Sequence, residues 1–328
     1  MTLKFALLGA GRIGKVHARA ISGNPDVELT VVADASAEAA KAISDRYGCR
    51  VSTIDAIAAD PMLDAVIICT PTNTHADLIE MFARARKAIF CEKPVDLDVA
   101  RAQACLEVVR DTRAKLMIGF QRRYDPHFSS VKKAIADGRI GEVEMIQIVS
   151  RDPGAPPIDY IRTSGGIFRD MTIHDFDMAR FLLSEEPVSV YATASVLTDK
   201  AIAGIDFDSA SVTLTTASGK HCTISNSRRA TYGYDQRVEV HGSKGTICVE
   251  NQRPVAIELA TAAGFTRPAL HDFFMTRYVE AYAAEIAAFV SVVKNGTAPS
   301  PSGEDGLRAL MLADAALRSA SQGVVVTL

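Results

Sequence analysis

Between residue 3 and about residue 119, short apolar runs rich in β-branched side chains alternate with segments whose apolar residues recur every three or four positions. The runs cover 4–8, 28–33, 65–69, 88–91 and 115–119. The helical patterns cover 11–22, 37–47, 75–85 and 98–112. Near-continuous apolar strands separated by amphipathic helices predict a doubly wound parallel sheet, buried on both faces.

After Gly119 the rhythm changes. A helix is expected over 126–137 and a strand over 142–150, followed by an irregular Pro/Gly-rich stretch over 152–166 suited to a linker or an active-site loop. A helix over 170–183 precedes strand-like runs at 188–196, 209–216, 221–225, 237–241 and 246–249, joined by short turns such as Ser218-Gly219 and Gly242-Ser243. That spacing predicts a mainly antiparallel sheet. Two helices, 273–294 and 304–321, close the chain. The expected organisation is α/β, with one domain over 1–120 and a second, α+β domain over 121–328.

Composition narrows the function. Charged residues are 23% of the chain and the net charge is −3, with no basic run to bind a phosphate backbone, so nucleic acid is not the expected partner. A small molecule is. The six cysteines (Cys49, Cys69, Cys91, Cys105, Cys222, Cys248) are scattered without a C-x-x-C pair, which argues for free thiols rather than a zinc cluster or disulfide framework. The apolar start at 3–8 is short, lacks a basic flank and enters a glycine turn, and no run is long enough to span a bilayer. A cytoplasmic protein without a membrane partner is expected.

The first strand runs directly into Gly9-Ala10-Gly11-Arg12-Ile13-Gly14, a G-x-G-x-x-G turn opening a helix. Gly9 would permit the tight turn, Gly11 would let the backbone approach a pyrophosphate, and Gly14 would let helix and strand pack closely, with Arg12 and Ile13 contributing the first helical N–H groups. Asp34 follows at the end of the second strand, where a carboxylate can bind the adenosine ribose hydroxyls and repel a 2′-phosphate. NAD is therefore expected rather than NADP. The alternative is that Asp34 caps the next helix. Thr70, Pro71, Asn73 and His75, after the third run, either cradle the nicotinamide ribose or form a turn capped by Thr72 or Asn73.

Glu92-Lys93-Pro94 ends the fourth run, on the same sheet edge as the glycine turn. A lysine there can hold a substrate hydroxyl and stabilise a developing alkoxide, or simply lie at the surface. Asp170 and His174 are four apart, on one face of the expected helix. Histidine titrates near neutrality and suits a proton acceptor, with the carboxylate as its orienter; the alternatives are an N-cap and an ordinary helix histidine. With Asp175 or Asp177, His174 lacks a usual metal ligand set, and no metal is expected.

In these motifs the chain resembles the glucose-fructose oxidoreductase / inositol dehydrogenase / rhizopine catabolism (Gfo/Idh/MocA) family over essentially its whole length. The longer strings Ser164-Gly165-Gly166-Ile167-Phe168-Arg169-Asp170-Met171-Thr172-Ile173-His174-Asp175-Phe176-Asp177 and Tyr232-Gly233-Tyr234-Asp235-Gln236 resemble its inositol-oxidising branch. The resemblance implies a Rossmann first domain, a catalytic group of Lys93, Asp170 and His174, and substrate contacts from Asp152 and Tyr234. It implies a homotetramer assembled through the open face of the second sheet. The implied reaction is NAD-dependent oxidation of myo-inositol at C2. Ser150-Arg151-Asp152 departs from the His-Arg-Asn of some inositol dehydrogenases, so another cyclitol or a pyranose stays open as substrate. A non-catalytic NAD-binding regulator is the alternative from a different class.

Overall fold

The computed structural model describes residues 2–328. The chain divides into two compact units, Met1–Asp125 with Val279–Leu310, and Pro126–Tyr278 with Met311–Leu328. A single cut after residue 120 therefore differs from the contact pattern in two respects: the first unit runs on to Asp125, and residues 279–310 return to it.

The first unit contains β1 (Leu3–Leu8), α1 (Arg12–Ser22), β2 (Val27–Ala33), α2 (Ala37–Tyr47), β3 (Arg50–Val51), α3 (Ile54–Ala59), β4 (Ala65–Ile68), α4 (His75–Arg84), β5 (Ala88–Glu92), α5 (Val99–Thr112) and β6 (Leu116–Gly119). The six strands are parallel, in the order β3-β2-β1-β4-β5-β6. The order reverses between β1 and β4, the topological switch point beside which doubly wound sheets bind ligands. Side-chain caps set the helix starts, with Ser36, Thr53 and Asp98 accepting from Ala39, Ala56 and Arg101 N–H. Ser36, rather than Asp34, caps α2. The short β3 and α3 were not legible, because so few residues carry no period.

The second unit begins with α6 (Pro126–Ala136), β7 (Val143–Arg151), α7 (Ile158–Thr163), α8 (Ile173–Leu183), β8 (Pro187–Ser195), β9 (Ser209–Thr216) and β10 (His221–Ser227). It continues through β11 (Asp235–Gly242), β12 (Gly245–Val249) and the hairpin β13 (Leu259–Thr261) and β14 (Gly264–Thr266). The chain ends with α9 (Phe274–Arg277), α10 (Val279–Asn295), α11 (Gly303–Gln322) and β15 (Val326–Thr327). The large sheet has the order β12-β11-β7-β10-β9-β8-β15 and is antiparallel except where β7 pairs with β10. One face is apolar and buried (Ile146, Ile148, Val212, Leu214, Val238, Val240); α8 packs on β7. The alternate residues Gln147, Tyr191, Thr213, Thr223, Arg237 and Glu239 are exposed, the period-2 signature of a sheet covered on one side.

Three expectations are corrected in detail. The irregular stretch over 152–166 contains α7. The helix over 170–183 is a π turn, Phe168–Thr172, running into α8. The helix over 273–294 is two helices that break at Tyr278, and α10 joins the first unit because its buried Ile286, Phe289, Val290 and Val292 belong to the core of the parallel sheet. There Phe289 meets Phe5 and Phe90 at centroid separations of 5.5 and 5.7 Å. Burying each such ring stabilises the fold by roughly 1.5–3 kcal/mol. No helix among the described residues is long and apolar enough to cross a membrane.

Candidate active site

In the first unit the site is built at the carboxyl ends of β1, β2, β4 and β5. Gly9 has φ +94°, and a Cβ there would come 2.4 Å from the Cys69 carbonyl oxygen at the end of β4. A Cβ on Gly14 would come 2.0 Å from the Gly9 oxygen. Both glycines are thus demanded by backbone packing. Gly14→Ala should cost about 2–3 kcal/mol or more by overpacking, read as a lower thermal midpoint. Gly11 differs: a side chain there would meet nothing within 4 Å, so packing does not require glycine, whereas close approach of a dinucleotide would. Gly11 also stands at the N-cap of α1 without a side-chain cap, and the first turn holds no acidic residue. The helix N-terminal N–H groups therefore keep their anion-binding capacity. Arg12 is exposed in this turn and Ile13 packs on the core.

Asp34 lies beside the turn. Its Oδ2 accepts the Ala10 N–H at 2.6 Å and its Oδ1 the Ser36 N–H at 2.7 Å, so the carboxylate is pinned with lone pairs left for a ribose diol. These features fit NAD.

Thr70 and Thr74 hydroxyls meet at 2.7 Å, and Thr74 Oγ1 donates to the Pro71 carbonyl. Pro71 and Asn73 are exposed on this turn, and α4 begins after it with Thr74, not Thr72 or Asn73, at the cap position. His75 is buried, with ring nitrogens 2.9 Å from the Thr70 oxygen and 2.7 Å from the Pro94 oxygen. Burial pushes its pKa down, against the two carbonyls that favour the charged ring. His75 thereby joins the Thr70 turn to the Lys93-Pro94 turn. Glu92 is similarly occupied: Oε1 lies 2.6 Å from Nε2 of the fully buried His17, whose ring packs on Phe90 and Tyr282. A Cβ on Gly119 would approach the Glu92 carboxyl within about 3.1–3.2 Å, so that glycine makes room for it. Lys93 follows, half-buried, at the end of β5.

In the second unit, His174 is half-buried, whereas the other residues from 171 to 180 are buried. Its neighbour Asp175 is the centre of a buried network: Oδ1 accepts from Ser150 Oγ at 2.5 Å and Oδ2 from Asn226 Nδ2 at 2.7 Å, while Thr172 Oγ1 donates to Asn226 Oδ1 at 2.7 Å. Hydrogen bonds to a charged partner contribute about 1.5–3 kcal/mol each, so the first turn of α8 is tied firmly to β7 and β10. Ser150, which with Asp152 departs from the His-Arg-Asn of some inositol dehydrogenases, therefore supports the histidine turn from below.

Asp170 sits in the π turn, not at a helix cap. Its Oδ1 accepts from Tyr160 OH at 2.9 Å, and its Oδ2 lies 3.5 Å from Nη1 of the buried Arg228. Asp152 directly follows β7 and its N–H bonds the Ser227 carbonyl. Tyr234 is buried, ring edge-on to Phe273 and Tyr278 at 5.7 and 6.0 Å. Its neighbour Tyr232 donates to Asp235 at 2.6 Å and accepts from Arg151. Burial would push the Asp235 carboxyl up, yet hydrogen bonds from Arg237, Tyr232 and Asn251 outweigh it and hold the group below its ordinary value. Sequence reasoning missed His17, Tyr160 and Arg228, which carry no local signal because each acts on a partner outside its own helix or strand.

Residues 3–120 match the oxidoreductase family with an NAD-binding Rossmann fold, and residues 128–248 match the GFO/IDH/MocA C-terminal domain. The chain is 70% identical to the inositol 2-dehydrogenase of Rhizobium meliloti (strain 1021), with 98% of each chain covered. The crystal structure of a myo-inositol dehydrogenase from Corynebacterium glutamicum superposes with a TM-score of 0.96 at 44% identity, covering 100% of this chain and 99% of that one. The scyllo-inositol dehydrogenase of Lactobacillus casei, solved with bound NAD(H) and scyllo-inositol, superposes with a TM-score of 0.91 at 25% identity, covering 100% and 99%.

Proposed function

The chain belongs to the GFO/IDH/MocA family of NAD-binding oxidoreductases, and from that premise we propose that it oxidises myo-inositol at C2 to 2-keto-myo-inositol (scyllo-inosose). The observation that carries the substrate is the 70% identity, over nearly the full length of both chains, to an inositol 2-dehydrogenase.

NAD, when bound, supplies the hydride acceptor. Gly9, Gly11 and Gly14 with the α1 N-terminus would hold its pyrophosphate, Asp34 its adenosine ribose, and the Thr70 turn its nicotinamide ribose. Lys93 anchors the reacting hydroxyl and stabilises the alkoxide as it forms. His174 takes the hydroxyl proton, and Asp170 keeps lysine and histidine in register. Asp152 and Tyr234 orient the remaining hydroxyls.

Assembly as a homotetramer through the exposed face of the second sheet belongs to the same reading. So does a reducing cytoplasmic setting, which suits six cysteines that are all unpaired.

The experiment is NAD reduction against myo-, scyllo- and chiro-inositol and glucose-type pyranoses. The highest kcat/KM is expected with myo-inositol. Stronger turnover of a pyranose would overturn the choice of substrate. Tight NAD binding without turnover of any of them would favour a regulator.

A further inference from the structure

Arg228, the residue after β10, is 1% exposed and lies between two carboxylates: Nη1 is 3.5 Å from Asp170 Oδ2 and Nη2 is 3.6 Å from Asp206 Oδ2. Among the described residues its Nε and Nη2 find no hydrogen-bond partner, so its attachment is through charge. A buried guanidinium is costly unless anions face it, and removing one member of such a group leaves the others uncompensated.

Asp206 does more than balance that charge. Burial pushes its carboxyl up, opposed by the backbone N–H groups of Phe207 and Ile167 and by Arg228, while Asp170 pushes it up further. Ile167 immediately precedes the π turn that carries Asp170. Asp206 thus lies against Gly166, just before that turn, and faces Arg228, which in turn faces Asp170 at its middle. Gly166 makes the approach possible: it has φ +82°, and a Cβ there would come 2.6 Å from Asp206 Oδ1. This gives the Gly165-Gly166 pair of the sequence motif a structural reason. Single-turn π bulges are concentrated at functional sites, where an extra residue re-aims a side chain.

We infer that Arg228, anchored by Asp206, is a positioning residue for the proton-transfer step, fixing the Asp170 carboxylate and through it His174. The inference rests on the reading of Asp170 and His174 as the catalytic pair. Tyr160 holds Asp170 Oδ1, so removing Arg228 takes away the charge that faces Oδ2.

The test is steady-state kinetics on the full-length enzyme, with thermal melts to establish folding. Arg228→Met should lower kcat about tenfold or more, since small misplacements of reacting groups cost up to about a hundredfold, while KM for NAD stays within about threefold. The double variant Arg228→Met with Asp206→Asn should regain part of the lost kcat, because the uncompensated buried carboxylate is gone. A role confined to packing predicts instead that two removals from one core lose at least as much as one. Should Arg228→Met not fold, Arg228→Lys takes its place: an ammonium cannot span both carboxylates, and kcat should fall about threefold or more with NAD KM kept.

An unchanged kcat in the folded single variant, or a double variant worse than the single, overturns the inference while leaving the catalytic pair intact. If Asp170→Asn itself leaves kcat unchanged, the catalytic reading fails and the positioning role falls with it.

Discussion

Replacing His174 with alanine should lower kcat about 10²–10⁴-fold, the range for loss of a general base, which corresponds to about 2.7–5.5 kcal/mol of transition-state stabilisation. Several observations make the loss specific. His174 is the accessible residue in an otherwise buried stretch of α8, so truncating it leaves the core untouched. The Asp175 network that fixes the turn does not pass through the imidazole. NAD affinity should be unchanged, because the glycine turn and Asp34 belong to the other compact unit. The measurement is kcat and kcat/KM for myo-inositol together with an NAD titration of the variant. A kcat within about threefold of the parent would remove His174 from the role of base.

Asp34→Ser should lower kcat/KM with NAD by about a hundredfold and shift the NAD to NADP preference by at least as much. Two ribose hydroxyls donating to a carboxylate contribute about 1.5–3 kcal/mol each, and part of this survives through the serine hydroxyl. The geometry explains why the charge matters. With Ala10 and Ser36 N–H groups on its two oxygens, the carboxylate cannot swing away from a 2′-phosphate, so it repels that group. Serine removes the repulsion and loses at least one of the backbone bonds. Kinetics with both cofactors reads the ratio directly. An unaltered ratio would show that Asp34 supports the turn without choosing the cofactor.

The same residues show how far sequence reading reached. The period of apolar runs located the five main strands of the parallel sheet and the four longer helices between them to within a residue or two, since each period is a local property of the chain. The G-x-G-x-x-G turn and Asp34 were legible because their chemistry depends on fixed spacing along one strand, turn and helix. His75 and Glu92 were visible as polar residues at a strand end. Their partners, the Pro94 carbonyl and His17, were not, because they lie elsewhere along the chain. The π turn was invisible for another reason: Asp170 and His174 keep a four-residue spacing whether the backbone winds as an α-helix or inserts an extra residue.

The sequence by itself determined the alternating α/β half, the mainly antiparallel sheet that follows and the glycine turn between β1 and α1, and it proposed the reactive side chains. Each of these is written in neighbours a few residues apart, where backbone stereochemistry and side-chain period act directly. Only the tertiary structure decided that 279–310 returns to complete the first core, that Asp175 ties the histidine turn to β7 and β10, and that Asp206 and Arg228 stand behind Asp170. Those contacts join residues dozens to hundreds of positions apart, and a buried charge or an apolar helix face records that it needs a partner without recording which one.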